Sequence, residues 1–220
     1  MKKILFSLVL FVCIVSSGRA QVFGSQMYEA NKMYLPALDR QIGFYYDVYK
    51  PKHIYYDLKS SNSQQLVQSR IHTGTQYTNF IAKIKEAKKT YEKWTKVAKE
   101  EGTRLFSKRI PVYVSDQTMY FTDGNNWYCE EGVDIQLRFF VDDQGNCQFV
   151  IQTDRMTSDE VVNTISPAGS WFKDEVSVTH ECSGASLSFQ SSEEIDKFVE
   201  ILESVMNNIK QQKSQKSKFK

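Results

Sequence analysis

The stretch VDIQLRFFVDDQGNCQFVIQT, residues 133–153, decides the fold class. Val133, Ile135, Leu137, Phe139 and Val141 alternate with Asp134, Gln136, Arg138 and Phe140, which is the period of a strand with one buried face. Asp142 to Asn146 is turn chemistry, and Cys147 to Thr153 returns as the antiparallel partner. Outward from this hairpin, further strands are predicted at Pro111–Val114, at Gln117–Thr122 before the turn DGNN, at Trp127–Glu131 after it, at Glu175–Glu181 and at Gly184–Phe189. Short turns between strands argue for an antiparallel meander rather than for βαβ units.

Upstream of Pro111 the period lengthens. Ser60 to Leu66 offers helix N-caps, with Gln64 three residues after Ser61, and an amphipathic segment then continues to Gly102, a C-cap candidate. Tyr77, Phe80, Ile84, Ala87, Tyr91, Trp94 and Ala98 fall on one helical face, and Lys83, Lys85, Lys88, Lys89 and Lys93 occupy much of the rest. Gly74 marks a break or kink in the upstream part. A seam of barely three heptads without a Leu/Ile run favours packing within the chain over a coiled coil. At the other end Ser191 and Glu194 form a capping box, followed by the stripe Ile195, Phe198, Val199, Leu202, Met206 and Ile209, which is expected to cover one face of the sheet. The expected architecture is α+β: an antiparallel meander packed by a C-terminal helix, preceded by a long amphipathic helix and an N-terminal hairpin.

That hairpin is GFYYDVYKPKHIYYDLKS, residues 43–60. Alternation places Phe44, Tyr46 and Val48 on one face and Tyr45, Asp47 and Tyr49 on the other; Ile54, Tyr56 and Leu58 likewise oppose Tyr55 and Asp57. One tyrosine of each Tyr-Tyr-Asp doublet is then inward. The outward set Tyr45, Tyr49 and Tyr55 is a candidate contact surface, provided that nothing covers it.

Residues 1–20 run basic, apolar, small, from Lys2 and Lys3 through Ile4–Val15 to Gly18-Arg19-Ala20, the order of a secretory signal peptide. The apolar run is shorter than the ~20 residues of a membrane span. Cleavage after Ala20 removes three of the 28 basic residues and no acidic one, leaving 25 against 26. A mature chain this close to neutral lacks the concentrated basic face of a nucleic-acid binder. The organisation expected is a signal peptide at 1–20, a hairpin and helical region at 21–110, a sheet with its terminal helix at 111–209, and a basic flexible tail at 210–220.

YEKWTKVAKEEGTRLFSKR at 91–109, the strand-rich segment after it and SSEEIDKFVEIL at 191–202 together resemble a pattern in uncharacterised secreted proteins of Bacteroidetes, over about the last 130 residues. The resemblance implies a bacterial envelope compartment, secreted or periplasmic. It brings no catalytic motif and no function.

Of four cysteines, Cys129, Cys147 and Cys182 survive cleavage, an odd number that in an oxidising compartment allows one disulfide and one free thiol. His180 and Cys182 share a strand face, but i and i+2 side chains stand roughly 7 Å apart, and no local signature of a cysteine protease is present. No two cysteines have the close spacing of a zinc site, and no EF-hand loop occurs, so neither metal nor cofactor is expected. Asp142-Asp143, Glu130-Glu131 and Asp159-Glu160 read as turns and caps. Trp171 and Phe172, after the turn Ser166–Ser170, are a second candidate contact loop. The function expected is a non-catalytic exported protein that binds an unknown envelope protein or glycan. The alternatives are a cysteine hydrolase using Cys182 with His180, His53 or His72, and an oligomer joined through the long helix.

Overall fold

The computed structural model describes residues 27–49, 51–165 and 173–217, with the backbone alone at 162–165, 173–176 and 216. Residues 1–20, expected to be a signal peptide, and Trp171 and Phe172, expected on a contact loop, lie outside the described residues. Ten strands and two long helices follow in the order β1 (Met27–Leu35), β2 (Arg40–Asp47), β3 (His53–Ser60), β4 (Leu66–His72), α1 (Thr75–Glu100), β5 (Phe106–Asp123), β6 (Asn126–Val141), β7 (Cys147–Thr153), β8 (Met156–Ile165), β9 (Lys173–Cys182), β10 (Ala185–Phe189) and α2 (Ser192–Ser217).

The α+β class and the antiparallel pairing are as the sequence implies, and β5–β6–β7 is a meander in sequence order. Its closure was not foreseen. β10 inserts between β7 and β3, and β3 pairs on its other edge with β4, so β3, β10, β7, β6, β5 and β4 form a closed six-stranded barrel. β1 and β2 extend it beyond β3, and β8 and β9 pair with each other alone as a separate two-stranded arm. The ladder between β5 and β6 shifts register around Pro111, which has no N–H to donate.

Three segments differ from expectation. Leu66–His72 is strand β4, not the start of a helix, because Val67 and Ile71 bury one face of a ladder with β3 and β5. Gly74 therefore begins α1 instead of kinking it. Asp159-Glu160, read as a turn or cap, lies inside strand β8, Met156–Ile165. At the C-terminus α2 continues through Ser217, and Gln212 donates to the Tyr46 hydroxyl at 2.7 Å, so the segment from Lys210 is helical rather than a free tail. The 110/111 boundary falls inside β5.

Both helices bury their apolar stripes as their periods require. Phe80, Ile84, Ala87, Tyr91 and Ala98 of α1 and Ile195, Phe198, Val199, Leu202, Met206 and Ile209 of α2 join one large core with the sheet. Phe198 touches Phe44, Tyr56, Phe80 and Phe189 with ring centroids 5.3–6.5 Å apart, and Tyr91 packs on Phe139 and Phe149. The seam of α1 is thus covered within the chain. The C-terminus of α1 and the N-terminus of α2 are capped as read, whereas the caps read at Ser60–Leu66 lie before β4 and Gly74 caps α1 without a side chain. Thr103 N–H bonds Ala98 O while Gly102 takes φ 62°, a Schellman ending that favours glycine. Ser191 Oγ accepts from Glu194 N–H at 3.2 Å. Among the described residues no helix is long and apolar enough to cross a membrane.

Candidate functional site

The Tyr-Tyr-Asp hairpin forms as β2 and β3, with Tyr45 opposite Tyr55 and Phe44 opposite Tyr56. Tyr46 and Tyr56 enter the large core. Tyr45 and Tyr55 point the other way, yet they are only 5% and 8% exposed, whereas Tyr49 is 69% exposed. This corrects the expected open row of three tyrosines. The cover is not a helix: Tyr45, Tyr55 and Tyr120 make a second, small core with Met27, Trp127 and Cys129 packed against it.

This outer cluster is polar where the main core is not. Asp57 gathers three donors: Gly43 N–H and the Tyr45 hydroxyl on Oδ2, and Gln68 Nε2 on Oδ1, each at 2.9 Å. Alternation puts residues 43 and 45 on one face of β2, and the Tyr45 ring folds back over Gly43, where a Cβ would overlap its phenol oxygen. On the next pair of strands Arg70 donates to the Tyr120 hydroxyl at 2.7 Å, to Thr118 Oγ1 at 2.9 Å and to Glu131 at 3.1 Å. Burial pushes the Tyr55 hydroxyl up to about 12, with Tyr120 adding and Arg70 opposing.

At the edge of the cluster His53 and His72 face each other across β3 and β4, ring centroids 5.2 Å apart. Burial first, then the charges of Arg70, His72 and Lys52, push the His53 imidazole down to about 4, against the pull of Asp47.

A pocket opens beside the Asp57 network, lined by Arg40, Tyr45, Asp57, Leu66, Val67, Gln68 and Trp127. It has room for about one water-sized group. Gln68 is 3% exposed, and its Oε1 is buried without a hydrogen-bond partner among the described residues. Arg40 and Gln68 were not singled out by sequence reasoning. The one legible signal was the alternation that sends Asp57 and Tyr45 to the same side of the sheet.

The three cysteines among the described residues are free thiols, so the disulfide that their number allows is not formed between them. They occupy separate environments: Cys129 borders the outer cluster, Cys147 starts β7 in the core with its thiol raised by burial, and Cys182 ends β9. Cys182 Sγ lies 3.7 Å from Ser60 Oγ and 3.8 Å from Gly184 O, while His180 Nδ1 is 2.8 Å from Asp123 Oδ2. The geometry therefore gives a Cys182–His180 hydrolase no support: the thiol is buried and the imidazole is engaged elsewhere.

Comparison with protein-family models, curated proteins and solved structures gives no match.

Proposed function

We propose that the chain is an exported, non-catalytic binding protein of the bacterial envelope, and that the outer-face pocket between Arg40, Tyr45, Asp57, Gln68 and Trp127 takes one hydroxyl of a glycan. The observation that carries this reading is the buried, unpartnered Gln68 Oε1 beside the Asp57 carboxylate. A buried acceptor without a donor costs roughly 1–3 kcal/mol, and a ligand hydroxyl supplies that donor. The pocket's size limits what enters to a single such group. The remainder of a sugar then lies outside, within reach of the Trp127 ring and the Arg40 guanidinium.

Tyr49, exposed at the end of the hairpin, and Trp171 with Phe172 remain proposed contacts for the same partner. The test is a glycan array with the mature chain and with Gln68→Leu and Trp127→Ala, folding being checked by circular dichroism. Saturable binding weakened about tenfold or more by both substitutions supports the site, that being the value of one good hydrogen bond or stacking contact. A silent array, or binding indifferent to both changes, overturns it and leaves a structural water as the donor to Gln68.

A further inference from the structure

The arm formed by β8 and β9 has no backbone pairing with the rest of the sheet, so its attachment depends on side chains. At its root Met156 and Cys182 are buried in the main core. One step further out, His180 meets three groups from three other strands. Its ring stacks on Tyr128 of β6 at 3.7 Å with planes 14° apart, its Nδ1 lies 2.8 Å from Asp123 Oδ2 at the end of β5, and its Nε2 lies 3.4 Å from Glu160 Oε2 of β8. Just beyond this level Val178 is 38% exposed and Val161 60% exposed.

We propose that His180 is a proton-operated latch that holds the β8–β9 arm against the β5–β6 hairpin. Both imidazole nitrogens face carboxylates, and Nε2 is buried without a hydrogen bond among the described residues. A neutral ring serves only one of the two: with the proton on Nδ1, a lone pair of Nε2 faces Glu160, and with the proton on Nε2, a lone pair faces Asp123. The imidazolium offers an N–H to each and places a cation over the Tyr128 ring. Among the described residues no lysine or arginine pairs with Asp123 or Glu160, so loss of the proton leaves two carboxylates without a counter-charge. The other groups facing this contact are the Tyr128 hydroxyl, 3.5 Å from Glu160 Oε2, and Glu130 of β6, whose carboxylate accepts from Thr157 N–H. Neither is a cation. The arm is therefore held when His180 is charged and released when the ring gives up its proton.

Limited proteolysis of the mature chain, with cleavage sites read by mass spectrometry and protease activity normalised on an unstructured peptide, tests this. Cleavage within 156–182 is expected to quicken about tenfold between about pH 5.5 and about pH 8, the equivalent of one charge-assisted hydrogen bond. Glu160→Gln keeps the shape and gives the neutral ring a donor for Nε2, so this variant is expected to stay closed at both values. His180→Gln is expected to be open at both. Cleavage that does not change with pH, opening towards acid, or a Glu160→Gln response like that of the parent overturns the latch. Should His180→Gln fail to fold, the parent and Glu160→Gln decide the matter.

Discussion

The two cores of this molecule are built from the same residue type in opposite ways. Tyr56 and Tyr45 lie on neighbouring strands of one hairpin, each buried, but Tyr56 faces Phe80 and Phe198, and among the described residues its hydroxyl forms no well-placed hydrogen bond. The Tyr45 hydroxyl donates to a carboxylate. The inner core is held by area and packing, and its polar atoms are incidental. The outer cluster is held by Asp57 and Arg70, with the rings as walls. Stability should thus fail differently on the two sides of the sheet: by lost volume inside, by lost partners outside.

The sharpest contrast is Phe198→Ala. The ring joins α2 to four aromatic neighbours, and its removal is expected to cost about 3–5 kcal/mol. Urea denaturation gives the value, and a loss under about 1 kcal/mol would mean that α2 is not part of the core. On the outer side Asp57→Ala strands Gly43 N–H, the Tyr45 hydroxyl and Gln68 Nε2 together, for an expected loss of about 2–3 kcal/mol. Gly43→Ala should cost a further-reaching ~1–3 kcal/mol through displacement of the Tyr45 ring. A double-mutant cycle separates these mechanisms: in a Tyr45→Ala background the Gly43→Ala penalty should largely vanish, whereas an unchanged penalty would place the strain in the backbone.

Much of the inner core could be read from the chain, because Tyr77–Ala98 and Ile195–Ile209 carry full helical stripes and residues 133–153 a full strand period. The outer cluster could not. Its members come from β2, β3, β4, β5 and β6, and Asp57, Gln68, Arg70 and Trp127 meet only because the barrel closes through β4, a strand whose LVQSRIH sequence alternates poorly. The alternation in the hairpin gave the correct faces to Tyr45 and Tyr55. It could not say that Trp127, some 70 residues downstream, would cover them. β10 was recognised as a strand, but its place between β3 and β7 is a long-range pairing with no local signature.

Acid should distinguish the cores as well. His53 borders the outer cluster with its folded-state value pushed from 6.5 down to about 4, so between those limits the unfolded chain holds a proton that the folded chain refuses. Stability is complete above about pH 6.5 and falls as pH drops to about 4. A fully buried group would account for ~3 kcal/mol, and screening at a half-buried one reduces this to about 1–2 kcal/mol. His53→Gln should flatten that part of the profile, while a profile as steep as the parent's would assign the loss to other groups. The direction is opposite to that of the His180 latch, so local opening of the arm and global weakening separate on one pH axis.

The smallest effect is the most pointed test of the comparison. Tyr56 and Ser69 bury hydroxyls that approach each other without meeting hydrogen-bond geometry, and burial drives the Tyr56 hydroxyl well above the usual phenol range, with the nearby Ser69 hydroxyl opposing. Tyr56→Phe keeps the ring against Phe80 and Phe198 and removes an oxygen whose one polar neighbour, the Ser69 hydroxyl, is poorly placed to bond it. It should leave stability unchanged within ~0.5 kcal/mol or raise it slightly, because deleting an unpaired buried hydroxyl removes its desolvation cost. Tyr45→Phe makes the same chemical change one strand away but takes a charge-assisted bond from Asp57, for an expected loss of about 1.5–3 kcal/mol. Equal losses from the two substitutions, measured side by side by urea denaturation, would show that the inner hydroxyl has a partner after all and that the two cores follow one rule.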